Sequence, residues 1–120
     1  MNRKKKLGME GEERAAVYLD HKGYELLERN FRCRWGEIDI IALDGETLCF
    51  IEVKTRNSVR HGLPAEAVGR RKMMRLQRCA HVYMERFGGR YRDVRFDVVE
   101  VIKLNPRRFA VRHLPGGRTA

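Results

Sequence analysis

At 120 residues the chain is long enough for one domain with its own hydrophobic core, without disulfide or metal staples. Apolar residues make up 42% and charged residues 35%, and no apolar run approaches the roughly 20 residues that span a bilayer, so no membrane partner is expected. Lys and Arg outnumber Asp and Glu by 26 to 16, a net charge of +10 that attracts polyanions and makes a nucleic acid the expected partner.

Residues 1–6 read as a mobile basic arm; no apolar stretch follows them, so no secretory signal is expected. Leu7 to Lys22 reads as a helix, with Gly8, Gly11, Glu12, Ala15 and Leu19 on one face and Gly23 as the cap. The small residues at 8, 11 and 15 predict a close backbone approach. Strands are expected at Tyr24–Arg34, Glu37–Leu43 and Glu46–Thr55, with Asp44-Gly45 as a type I′ hairpin turn. Arg56 to Leu63 reads as a loop. A helix is expected from Pro64 to about Phe87, with Val68, Lys72, Leu76, Ala80, Tyr83 and Phe87 in one stripe and Gly88-Gly89 ending it. Val94–Ile102 and Arg108–Leu114 are the last strands, turned by Asn105-Pro106, and residues 115–120 form an expected mobile tail. The order α-β-β-β-α-β-β describes a single α/β domain over residues 1–120, a mixed sheet flanked by helices.

Cys33, Cys49 and Cys79 are odd in number and far apart, with no C-x-x-C, and His21, His61, His81 and His113 do not cluster with them. Neither a zinc site nor a disulfide framework is expected; reduced thiols in a cytoplasm are.

With Asp44 and Gly45 at the centre of the turn, Leu43 faces Glu46, Ile41 faces Leu48, Asp39 faces Phe50 and Glu37 faces Glu52. Alternation then puts Ile38, Ile40, Ala42, Cys49, Ile51 and Val53 on a core face. The other face carries Ile41, Leu48 and Phe50, which call for a covering helix, and charged Glu37, Asp39, Glu52 and Lys54 at the end away from the turn. Asp39 and Glu52 become diagonal neighbours whose carboxylates can converge on one cation and repel each other without one. Lys54, on the same face, is placed to support a phosphate oxyanion or an attacking water.

Glu12, beside Gly11 and Ala15, is a candidate where Glu13 reads as a solvated charge; Glu37 is equally a secondary ligand or a rim charge. Arg70, Arg71, Lys72, Arg75 and Arg78 make the second helix basic, and Arg71, Lys72 and Arg75, with Arg56 and Arg60 on the loop, are the expected nucleic-acid contacts. His61 is a weaker candidate base. Trp35 reads first as packing and second as a base-stacking surface; Asp97 reads as a structural hydrogen-bonding acid.

The segments G-E-I-D-I-I and F-I-E-V-K-T-R, the opening G-M-E-G-E-E-R-A-A-V-Y-L, Asn30 with Arg32, G-L-P-A-E-A-V and R-F-D-V-V-E-V together resemble the YraN-like family of uncharacterised bacterial proteins over nearly the whole chain. That family is similar to the PD-(D/E)xK nucleases and archaeal Holliday-junction resolvases. The resemblance implies a restriction-endonuclease-like fold, Asp39, Glu52 and Glu12 as ligands of Mg²⁺ or Mn²⁺, and Lys54 as the catalytic lysine. Ile38 stands where the motif's proline often precedes the first acid. The expected activity is metal-dependent cleavage of DNA, branched or damaged, with RNA less favoured. The alternative is a non-catalytic nucleic-acid-binding or adaptor protein. A homodimer is attractive because one small site would have to cut two strands.

Overall fold

A run of lysines is good helix-forming sequence, and Asn2 gives it a start. In a computed structural model of the chain, which describes residues 2–57 and 69–116, the Asn2 side chain accepts a 2.7 Å hydrogen bond from the Lys5 N–H and caps α1 (Arg3–His21). The basic residues expected to form a mobile arm are therefore the first turn of this helix.

β1 (Glu25–Cys33), β2 (Gly36–Asp44) and β3 (Thr47–Arg56) follow, then α2 (Arg70–Phe87), β4 (Asp93–Asn105) and β5 (Arg108–Leu114). The expected order holds. Pro64 and Val68 lie outside the described residues, and Gly69 is extended at the cap of α2 (φ −80°, ψ 172°), so the described helix starts at Arg70. After β5, Pro115 and Gly116 are described, and the Gly116 N–H donates to Asp97 at 2.8 Å.

The strands form one five-stranded sheet in sequence order. Neighbours are antiparallel except β3 and β4, which run parallel, with α2 lying between them in sequence. The sheet is therefore mixed, and a helix covers each face. Ala15, Ala16 and Leu19 of α1 pack on Ile40, Ala42, Cys49, Ile51, Val99 and Val101. Leu76, Cys79, Ala80 and Tyr83 of α2 pack on Ile41, Leu48, Phe50 and Val98. Leu19, Ile40, Ile41 and Ile51 are fully buried, each contributing about 1.5–3 kcal/mol on leaving water. No helix among the described residues is long and apolar enough to cross a membrane.

The expected close approach is made at Gly11. A Cβ built there would lie 1.9 Å from Thr55 Oγ1 on β3, whereas one at Gly8 would meet nothing within 4 Å. Only the middle of the small-residue stripe touches the sheet this tightly, and its neighbour Glu12 meets Asn30 of β1.

Candidate functional site

The hairpin register differs from the expected one by two residues. Asp44 pairs with Thr47, Leu43 with Leu48 and Ile41 with Phe50, so Gly45 and Glu46 form the turn. Gly45 has φ +61°, and Asn30 is the single non-glycine residue with positive φ among those described; a type I′ turn would need two in succession. Asp44 is the last residue of β2, and Arg95 Nη1 lies 3.3 Å from its carboxylate. A slip of two preserves every face, but it moves the acids: one step beyond the Ile40–Ile51 pair, Asp39 stands abreast of Glu52 and not diagonal to it.

At that step the sheet forks. Backbone pairing of β2 with β3 ends at Ile40–Ile51, and the Val53 N–H donates instead to Asp39 Oδ2 at 2.8 Å. The carboxylate takes the place of a strand carbonyl. Alternation fails here too. Ile38 was expected to share a face with Ile40, but it packs with Phe31 in the α2 cluster while Ile40 packs under α1. Asn30, across from this point on β1, has φ +55°, a local inversion of β1 beside the face change in β2 that period-two reading cannot see.

Asp39 and Glu52 are 9% and 7% exposed. Carboxylates this deep must be protonated, hydrogen-bonded or paired with a cation. Burial, and then the neighbouring Glu52 charge, push the Asp39 carboxyl up to about 7. Glu52 receives Lys72 Nζ at 2.6 Å and Lys54 Nζ at 3.5 Å. Burial, with the hydrogen-bonded Lys72 beside it, holds Lys54 below the usual lysine value. Burial opposes the charge of Lys72 as well, but its contacts with Glu52 and Lys54 outweigh it and hold Lys72 above that value.

Glu12 lies within electrostatic reach of Glu37 and Glu52. Burial raises its carboxyl, and a side-chain hydrogen bond from Asn30 tempers the rise. No three His, Cys, Asp or Glu residues among those described are grouped so as to hold a metal ion, so Glu12, Asp39 and Glu52 do not meet as a trio of ligands. Glu37 is paired with Arg32, whose Nε lies 2.6 Å from Glu37 Oε2.

Asp39 and Glu52 open onto a cleft of about 340 Å³ walled by Trp35, Glu37, Lys72 and Arg75. Of the expected nucleic-acid contacts, Lys72 and Arg75 reach this cleft and Arg71 is exposed beside them on α2. Arg56 turns inward to the buried Glu100 at 3.1 Å, with its side chain 17% exposed. Arg60 and His61 lie outside the described residues. Asp97 is the structural acid expected: it accepts from Arg95, His113 and Gly116. Burial raises its carboxyl, but these bonds outweigh burial and hold it below the ordinary value. Missed in the sequence were the roles of Asn30 and His113, single polar residues whose partners lie far away in the chain.

The family model described as Uncharacterised protein family UPF0102 matches residues 11–101, a span that contains every acid and lysine of the cleft. A UPF0102 protein of Beutenbergia cavernae is 45% identical over 116 residues, 97% of this chain and 98% of that one. One of Caldicellulosiruptor saccharolyticus is 49% identical over 98 residues, 82% of this chain and 83% of the relative. One of Chlorobium chlorochromatii is 52% identical over 95 residues, 79% and 73% of the two chains.

Proposed function

We propose that this chain, which belongs to the uncharacterised protein family UPF0102, the YraN-like family, is a metal-dependent nuclease of the restriction-endonuclease-like fold that hydrolyses phosphodiester bonds of DNA. The observation that carries the reading is the juxtaposition of Asp39 and Glu52: two buried carboxylates at a fork in the sheet, the first with its carboxyl pushed to about 7. Such a pair is costly for folding and is the arrangement a divalent cation relieves.

Hard oxygen donors suit Mg²⁺ or Mn²⁺. Mg²⁺ in particular keeps several waters and takes one or two carboxylates together with substrate phosphate, so Asp39 and Glu52 fit as a two-carboxylate site without a third protein ligand. Bound there, the ion would supply Lewis acidity and lower the pKa of a water. Lys54 loses its proton more readily than a free lysine, so Nζ can take or return a proton beside the phosphate. Lys72, once released from Glu52, and Arg75 place positive charge where the phosphate enters. Glu12, held by Asn30, orients water at the edge of the acid pair. Three free cysteines fit a reducing cytoplasm. Two copies would supply the two cuts a duplex needs.

The 2.6 Å contact of Lys72 with Glu52 favours a second reading, a nucleic-acid-binding protein that keeps the fold without turnover. Cleavage of single-stranded, duplex and branched DNA with Mg²⁺ or Mn²⁺, wild type beside Glu52→Gln and Lys54→Met, separates the two. The nuclease reading expects cutting that needs the metal and falls by about 10²–10⁴ in each variant. Equal rates in all three, or no cutting by the wild type, would leave the binding protein.

A further inference from the structure

Six arginines among the described residues have acidic partners: Arg29 with Glu13, Arg32 with Glu37, Arg56 with Glu100, Arg92 with Glu46, Arg95 with Asp97 and Arg112 with Glu100. Among the described arginines without an acidic partner, Arg34, Arg71, Arg75 and Arg78 gather around Trp35 and α2. The last three are spaced four and three apart, which puts them on one side of α2, where with Met74 they line a hollow of about 310 Å³. Met74, 48% exposed, is an apolar side chain among these charges.

The chain's single tryptophan sits against them. The Arg34 and Arg78 guanidinium carbons lie 4.6 and 4.4 Å from the centre of the Trp35 ring. Trp35 is also a shared wall. On one side is the cleft of Asp39 and Glu52; on the other is a groove of about 560 Å³ along α2. The acid in that groove, Glu85, lies 3.6 Å from His81 Nε2.

Uncompensated guanidinium groups around an aromatic ring match a ligand that alternates phosphate with a flat ring. Phosphates would take the arginines bidentately, and a base would stack on Trp35, replacing one of the guanidinium planes already there. In a duplex the bases are stacked on one another, so this surface takes an unpaired strand. We infer that Trp35 and the Arg71, Arg75 and Arg78 face of α2 form a single-stranded nucleic-acid site that leads into the cleft of Asp39 and Glu52. The inference deepens the nuclease reading by naming its substrate as a strand with unpaired bases, and its test needs no cleavage.

Because Trp35 is the sole tryptophan, its emission reports the site directly. The full chain in EDTA is titrated with a roughly 12-nucleotide oligothymidylate and with a blunt duplex of that length, each dye-labelled so that anisotropy follows binding independently. The expected result is saturable quenching by the single strand at much lower concentration than by the duplex. Arg78→Glu, a change at an exposed position, and Trp35→Leu should each weaken single-strand binding about 5- to 150-fold, with Arg78→Glu retaining the wild-type melting temperature. No binding, binding that saturates without quenching, or equal affinity for the duplex would overturn the inference. Quenching without any cleavage activity would retain this site and reject the nuclease reading instead.

Discussion

Lys72 Nζ lies 2.6 Å from Glu52 Oε2, so a residue of the crossover helix holds one of the two carboxylates that β2 and β3 bring together. On the proposed nuclease reading, the lysine occupies the place beside Glu52 that a divalent cation would share. Replacing it by methionine keeps the length of the stem and removes the charge. Lys72→Met should lower the stability of the metal-free protein by about 1.5–3 kcal/mol, toward the low end because the lysine is about one-third exposed, and tighten Mg²⁺ binding several-fold. Urea denaturation and a calorimetric Mg²⁺ titration measure the two effects. A variant that loses stability and also binds Mg²⁺ more weakly would make Lys72 a prop for the site and not a competitor.

The raised carboxyl of Asp39 gives the fold a pH dependence of defined sign. Its folded value, about 7, exceeds the ordinary aspartate value of 3.8, so the protonated form is the one that folding favours. The stability it contributes is fully present below about pH 4 and is lost as pH rises through about 7. Asp39→Asn should flatten that part of the stability profile and be more stable than wild type at pH 8 without metal. Saturating Mg²⁺ should raise the wild-type melting temperature at pH 8 and leave the variant's unchanged. Parallel pH profiles for the two proteins would place the titration elsewhere.

Gly11 tests the seating of α1. Alanine at this position gains about 1 kcal/mol of helix propensity but sets a Cβ 1.9 Å from Thr55 Oγ1, 2.7 Å from Cγ2 and 2.8 Å from Cβ. The last contact cannot be relieved by rotating the side chain, so the clash wins. Gly11→Ala should cost about 1–3 kcal/mol net, and adding Thr55→Ala should recover part of it. The same change at Gly8, where a Cβ meets nothing, should be neutral or stabilising in thermal melts.

Cys33 Sγ on β1 and Cys79 Sγ on α2 are 3.1 Å apart, and both thiols are free. Burial, then the bond with Cys33, push the Cys79 thiol up to about 12, so its thiolate is scarce at neutral pH. Diamide, accepting the two hydrogens of the thiol pair, should form the Cys33–Cys79 disulfide slowly at pH 7 and faster as pH rises. The product should be monomeric and stabilised by about 2–4 kcal/mol. Intact mass with peptide mapping decides; a link through Cys49, or none, would contradict the geometry.

Pattern and turn chemistry carried the element order, because Gly23, Gly36, Gly45 and Gly88 all mark real breaks with positive φ. They also carried the covering of Ile41, Leu48 and Phe50 by a helix, because apolar residues on a nominally polar face need a partner. The acid pair was legible for the same reason. The register was not, since Asp-Gly is the stronger turn signal in the sequence, whereas Asp44 pairs with Thr47 and meets Arg95 from a distant strand. The face change between Ile38 and Ile40 was invisible because it lies opposite an inverted backbone residue, Asn30, in another strand. The inward turn of Arg56 depends on Glu100, a buried acid 44 residues away in sequence.

β2 and β3 are joined by two residues, so that hairpin can close within about 1–10 μs. Lys72 arrives only when α2 docks and β4 completes the parallel connection, a slower, non-local step. Until then Asp39 and Glu52 converge with Lys54 as their one cationic neighbour from the hairpin itself. A proton or a dissolved cation is what can stand between them during that interval. The refolding rate is therefore expected to respond to pH and to dissolved divalent cations, as the finished fold is.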